Sequence, residues 1–183
     1  MEYKYLLGLL CAGMHEEFYD EIRNTLIPFL NPQQYGRSIL ENSSFIVSSA
    51  HPDKALLGRG FVARLSGSTA EFLHMWLIMN AGLNPFYLDE KNRLNLKLEP
   101  ILPKWLFDKD RTYSFKFLGR TIVTYRNPKR KNTYGNVKCA VKSMRVFLKD
   151  RKMPLVINQD TIPSPYAEMV RSGKADKIDI DLG

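Results

Sequence analysis

The hydrophobic period changes once along the chain, near residue 90, and that change restricts the fold more than any single motif. Before it, apolar residues recur at helical spacing: Phe18, Ile22 and Leu26 stand at i, i+4 and i+8, one stripe of an amphipathic helix. After it, Leu94, Leu96 and Leu98 alternate with Asn95, Lys97 and Glu99, the period of a half-buried strand. Helices first and strands second imply an α+β chain with segregated parts. The expected division is a helical part over 1–90 and a small antiparallel β domain over 91–183, with the boundary near 83–92.

In the helical part, residues 2–30 read as two helices. Tyr3, Leu6, Leu7, Leu9 and Leu10 leave the first with almost no polar face, the pattern of a helix buried on several sides. Gly13 is its expected C-cap. The second starts at His15, carries Glu16, Glu17, Asp20 and Glu21 near the positive end of its dipole, and is closed by Pro28 and Pro32. Residues 68–81 form the clearest helix, with Phe72, Trp76 and Met79 on one face and Leu73 and Leu77 beside them. Ser68-Thr69-Ala70-Glu71 matches a capping box with Ser68 as N-cap, and Gly82 follows as C-cap. Between the helices, residues 31–65 lack any period. A loop of that length in a compact domain is functional or disordered, and Phe45, Ile46, Val47, Phe61 and Val62 favour a structured, functional one with a short extended piece over 43–49.

In the strand part, residues 113–118 and 121–125 read as a hairpin across Gly119-Arg120. Further strands are expected over 140–148 and 177–182.

The chain has 183 residues, 44% hydrophobic and 25% charged, which excludes general disorder. Its net charge of +8 is local: residues 104–152 hold 15 Lys+Arg and 3 Asp+Glu, against 12 and 16 elsewhere. A basic surface of this kind invites nucleic acid; the alternative is a solvated face of a β module. Nucleic-acid binding would need Tyr113, Phe115 and Tyr125 exposed among the lysines, whereas the alternation of Tyr113, Phe115 and Phe117 with Ser114, Lys116 and Leu118 turns the aromatics toward a core. No apolar run spans a bilayer, and no signal peptide is visible at the start of the sequence. Cys11 and Cys139 stand far apart without a CxxC, which fits a reduced cytoplasmic setting. His15, His51 and His74 have no ligand spacing, so no metal site is expected.

One segment, residues 58–69, is the best site candidate. Its Ser-Gly-Ser-Thr turn enters a helix N-terminus, where unpaired backbone N–H groups and the helix dipole suit an anion. Gly67 permits close backbone approach, and Arg59 and Arg64 can add charge-assisted bonds. The alternative is a plain helix cap with solvated arginines. Glu41, in Leu40-Glu41-Asn42-Ser43-Ser44, can bind a polyhydroxylated ligand or serve as an ordinary turn residue or salt-bridge partner.

Leu65-Ser66-Gly67-Ser68-Thr69-Ala70, followed by Leu94-Asn95-Leu96-Lys97-Leu98-Glu99-Pro100-Ile101-Leu102-Pro103, resembles the end of the catalytic domain in inverting glycoside phosphorylases. These are the cellobiose phosphorylase-like enzymes, which have an (α/α)6 barrel. Glu41-Asn42-Ser43-Ser44-Phe45-Ile46 and Gly60-Phe61-Val62-Ala63-Arg64 look like those of the enzymes acting on 1,2-β-oligoglucans. The resemblance covers most of the chain. It implies that the helices are the end of such a barrel and that phosphate attacks a β-glucoside to give α-glucose 1-phosphate with inversion.

It further implies a phosphate site at Ser66 and Gly67, helped by Arg59 and Arg64, and sugar contacts from Glu41, Asn42 and Ser48. Phosphate is then a co-substrate, and no cofactor or metal is expected. The family's general-acid aspartate has no counterpart here, so the catalytic residue is unknown. The chain reads as the C-terminal portion of a longer enzyme, inactive alone, with an upstream barrel portion as partner and room for a homo-oligomer. The competing readings are a basic nucleic-acid module and a non-catalytic packing or oligomerisation domain.

Overall fold

Gly13 turns the chain between its first two helices. In the computed structural model, which describes residues 2–38, 43, 45–61 and 67–183, helix α1 spans Glu2–Cys11. It closes with Gly13 N–H donating to Leu10 O at 3.1 Å and Met14 N–H to Leu9 O at 3.0 Å. Gly13 sits at φ +77°, the left-handed position that this paired closure requires. Tyr3, Leu6, Leu9 and Leu10 are buried, but Tyr5 is 54% exposed. The helix therefore has a solvent face, contrary to the all-round burial its composition suggests. Helix α2, His15–Thr25, buries Phe18, Tyr19 and Ile22 and stops three residues short of Pro28.

The aperiodic stretch that follows is built from small pieces. Helix α3 is Pro32–Tyr35, with the Asn31 side chain accepting Gln33 N–H at 2.9 Å and Gly36 at φ +70° beyond its end. Proline just inside the start and glycine just past the end bound a single turn. Strand β1, Phe45–Ile46, pairs antiparallel with β2, Gly60–Phe61.

Helix α4 is Gly67–Ala81, and Gly82 ends it at φ +90° with its N–H on Ile78 O at 2.8 Å. Two expectations for it are corrected. The helix already includes Gly67, so Ser68 is its second residue rather than its N-cap, and Glu71 is its fifth. The buried positions are Met75, Ile78, Asn80 and Ala81, while Phe72, Trp76 and Met79 are half-buried and Leu73 is 57% exposed. The most apolar stripe flanks the core instead of filling it.

The chain forms two compact units, Met1–Trp76 and Leu77–Gly183, which divide within α4. In the second unit, β3 (Phe86–Leu88) and β4 (Leu94–Lys97) form a hairpin. Asp89 closes it, accepting Lys91 N–H and Arg93 N–H, both at 2.9 Å, and pairing with the Arg93 guanidinium at 2.8 Å. These bonds, the Arg93 backbone N–H first, hold the Asp89 carboxyl down to about 2.

The hairpin β5 (Thr112–Phe117) and β6 (Thr121–Arg126) follows. Its turn has Leu118 at φ 49° and Gly119 at φ 69°, one position earlier than the glycine-arginine step suggests. Both central residues then have the positive φ of a hairpin turn. The remaining elements are β7 (Val141–Leu148), β8 (Leu155–Ile157), β9 (Thr161–Ile162), α5 (Tyr166–Arg171) and β10 (Ala175–Leu182). Sequence periodicity announces neither β3, β8, β9 nor α5, because each is too short to show a period.

The sheets give β5-β6-β10-β7-β8 and β3-β4-β9. The larger one is mixed, not antiparallel: β10 runs antiparallel to β7 but parallel to β6. The long connection from β6 through α5 supplies the crossover that a parallel pair needs. Between two neighbours, β10 buries Ile178, Ile180 and Leu182 completely or nearly so. On the other face its Asp179, 3% exposed, meets Lys177 Nζ at 3.0 Å and Arg126 Nη2 at 3.3 Å. Asn95, expected to face water, is buried, and its side-chain amide donates to Arg93 O at 3.0 Å.

The Pro100-Ile101-Leu102-Pro103 segment is tied down by backbone and hydroxyl bonds. Ile101 N–H donates to Met79 O at 2.8 Å, and the buried Thr133 hydroxyl accepts Leu102 N–H at 2.7 Å and donates to Pro100 O at 2.5 Å. Tyr125, fully buried, donates to Asn80 O at 2.7 Å, and burial drives its phenol well above the usual range. Tyr125→Phe removes that bond to a buried residue. It is expected to lower stability by about 1–3 kcal/mol, measured by urea unfolding; an unchanged midpoint would show that the bond contributes nothing.

Candidate functional site

A glycine without room for a side chain sets the geometry of the first unit. Tyr35 is 1% exposed, and its hydroxyl lies 2.5 Å from Ser43 Oγ. A Cβ on Gly60 would run into the Tyr35 ring and Ser43 Oγ, so β2 lies directly on the aromatic ring. The ribbon continues past its two paired residues: Gly58 N–H donates to Val47 O and Val47 N–H to Arg59 O, both at 3.0 Å. Two residues thus oppose one, with Gly58 at φ +74°, a bulge that bends and twists the strand.

These contacts wall a cleft of ≈ 970 Å3. The ribbon contributes Phe45, Ile46, Val47 and Ser48; α2 and α3 with their flanks contribute Asn24, Thr25, Asn31, Gln34 and Tyr35; α1 contributes Glu2 and Tyr3. Glu71, one turn after Gly67, brings α4 to the rim. Among the described lining residues the charged ones are Glu2 and Glu71, and none is basic. Loss of surrounding water pushes the Glu2 carboxyl up, with the Glu21 charge adding to it. Burial, reinforced by Glu2 and Tyr35, pushes the Tyr3 phenol up to about 12, so it stays a neutral hydroxyl. A cleft of amides, hydroxyls and two carboxyl groups, with aromatic walls and no basic residue among the described lining, suits a hydroxyl-rich ligand better than an anion.

Of the site residues expected from sequence, Ser48 lies in this cleft. Its Oγ accepts Ala50 N–H at 3.2 Å, which leaves its own hydrogen to donate. Arg59 is exposed on the bulge beside Gly36 and is not among the lining residues. Gly67 is the first residue of α4, where the first four N–H groups of a helix have no intrahelical acceptor. Glu41, Asn42, Arg64 and Ser66 lie outside the described residues. His51 has a local role, accepting Asp53 N–H at 3.1 Å, and His74 is exposed on α4.

Sequence reasoning missed Tyr3, Asn31, Gln34 and Tyr35. The one available signal was Asn31-Pro32 followed by Tyr35-Gly36, which marks a capped helical turn but not what it faces. In the second unit, Phe115, Phe117 and Tyr125 are buried and offer no stacking surface for bases. Among the described residues no group of His, Cys, Asp and Glu is placed to hold a metal ion, and no helix is long and apolar enough to cross a membrane. The chain matches no protein-family model and no curated protein.

Two measurements test this geometry. Gly60→Ala forces a methyl into the Tyr35 ring and is expected to destabilise the first unit by about 1–3 kcal/mol, whereas Gly8→Ala, which meets nothing within 4 Å, should be neutral or stabilising; equal melting of both variants would sink the close-approach argument. The Tyr3 phenol titrates near 12 when folded and near 10 when unfolded. Its contribution is complete below pH 10 and is lost as pH rises toward 12. Tyr3→Phe should therefore flatten the alkaline fall in stability, followed by tyrosinate absorbance and circular dichroism.

Proposed function

We propose that this chain supplies the phosphate- and sugar-contacting part of a glycoside phosphorylase. The reaction would convert a β-glucoside or β-glucan and inorganic phosphate into α-glucose 1-phosphate. The observation that carries this reading is the start of α4 at Gly67. The Ser66-Gly67 step, which resembles the family's phosphate turn, thus stands at the N-terminal end of a 15-residue helix. Backbone N–H groups and a partial positive charge gather there, in a position where a doubly charged anion is welcome.

Charge separates the two substrates. Phosphate is drawn to the helix terminus, with Arg59 and Arg64 as auxiliary donors. The sugar takes the cleft, whose described lining has no basic residue, and where Ser48 and the polar side chains of α2 and α3 meet hydroxyls, with Glu41 and Asn42 from the preceding segment. Phosphate then attacks the anomeric carbon from the face opposite the leaving oxygen, and the new bond forms with inverted configuration. The proton for the leaving oxygen comes from an aspartic acid that this chain does not supply. The chain is accordingly inactive alone and works with a barrel portion, in a cytoplasmic setting, needing phosphate as co-substrate and no cofactor.

The test is phosphorolysis of β-glucans by this chain with the barrel portion supplied, together with phosphate titration of the chain by phosphorus NMR. Ser66→Ala should raise the apparent phosphate constant about tenfold or more, the loss of one charge-assisted hydrogen bond of about 1.5–3 kcal/mol. Ser66→Thr, which keeps the hydroxyl, should restore it. Ser68→Ala, inside the helix, should leave it unchanged. A phosphate constant indifferent to Ser66 would reduce the turn to a helix start.

A further inference from the structure

Two aromatic rings stand in water beside the cleft. Phe45 of β1 and Phe61 of β2 are direct partners in antiparallel register. Side chains so paired project from the same face of a ribbon, with Cβ atoms about 4.5–5.5 Å apart. Phe45 is 67% exposed and Phe61 42%. The ribbon does not need them for its anchorage. That comes from the Tyr35–Ser43 hydrogen bond, from Gly60 against the Tyr35 ring, and from the Gly58–Arg59 bulge. The pair is thus held on a braced scaffold with its apolar surface unused.

Phe45 also lines the cleft, next to Ser48 and across from the amides of Asn24, Asn31 and Gln34. Flat apolar rings beside neutral hydrogen-bonding groups match one ligand chemistry closely. A pyranose ring carries axial C–H groups on its faces and hydroxyls around its edge, so it can lie on an aromatic face while its edge meets amides and hydroxyls. An anion finds no cation among the described lining residues.

We propose that Phe45 and Phe61 form a stacking platform for one sugar unit of a β-glucan whose neighbouring unit occupies the cleft. The platform sets a preference for oligosaccharides over monosaccharides. The proposal rests on the carbohydrate reading above and adds to it a chain-length determinant.

The experiment is titration of the chain with glucose and with β-1,2-linked gluco-oligosaccharides, by calorimetry and NMR, with phosphate titrated in parallel. The expected result is tighter binding of the oligosaccharides than of glucose. Phe45→Ala and Phe61→Ala should each weaken oligosaccharide binding about tenfold, the scale of one lost ring contact, with phosphate binding unchanged. Phe45→Leu separates stacking from bulk: it keeps the apolar volume and the fold but has no flat face, and should bind as weakly as the alanine variant. Phe45→Trp should bind at least as tightly as the native chain.

Oligosaccharide binding by Phe45→Leu and Phe61→Ala equal to that of the native chain would overturn the platform. If the native chain binds phosphate but no oligosaccharide, the platform is also overturned while the phosphate turn stands. If it binds neither, the phosphorylase reading falls with it.

Discussion

The cleft depends on the absence of a side chain at Gly60. Tyr35 fills the space that a Cβ would take, and its hydroxyl reaches Ser43 on the far side. Remove that contact and the ribbon of β1 and β2 has two paired residues, far too few to hold its place unaided. What the ribbon presents is positioned through this contact together with the Tyr35–Ser43 hydrogen bond and the Gly58–Arg59 bulge: Ser48 toward the cleft, Arg59 on the bulge, and the exposed Phe45 and Phe61. Specific side chains held on a brace of this kind are what a binding wall needs.

In the second unit the equivalent organising element is β10, which enters the sheet between β6 and β7. A strand with neighbours on both edges satisfies its backbone completely and buries one face. Its other face carries Asp179, and the cations of the basic segment gather on it: Arg126 at 3.3 Å and Arg145 at 4.0 Å, with Lys177 of β10 itself at 3.0 Å. A carboxylate that is 3% exposed requires such partners, since a buried, unpaired charge is strongly destabilising. Part of the positive charge that sequence offers to a nucleic acid is therefore engaged within the sheet. The aromatics that would have stacked on bases point the other way.

Long elements were legible in the chain. The helices α1, α2 and α4 and the strands β5, β6, β7 and β10 each carry enough residues to display a period, and Gly13, Gly82 and Gly119 follow α1, α4 and β5. Among the short elements, β4 was announced by Leu94, Leu96 and Leu98, and β1 lies within the extended piece expected over 43–49, but β3, β8, β9 and α5 were not legible. Strand β9 has two residues and exists because β4 completes its hydrogen bonds, and α5 has six, too few to show a period. The face of α4 was misjudged for a related reason: Phe72, Trp76 and Met79 share one apolar stripe, yet burial follows what packs beside a helix, and Met75 and Ile78 are the buried pair.

For the site, sequence marked the turn before α4 and placed Ser48 among its contacts. It could not assemble Tyr3, Asn31, Gln34 and Tyr35 around Ser48, because residues from α1, the α2–α3 connection and the ribbon meet only through folding. The sequence by itself determined the α+β class, the helix and strand periods, the glycine stops, and the inward turn of Phe115 and Phe117. These are local properties, set by side-chain spacing and by which φ a residue allows. Tertiary structure alone decided the parallel pairing of β10 with β6, the burial of Asn95 and Asp179, and which residues line the cleft. Those depend on which distant segments approach; at the cleft, the approach of β2 to Tyr35 turns on a single missing methyl at Gly60, whose meaning no local pattern can carry.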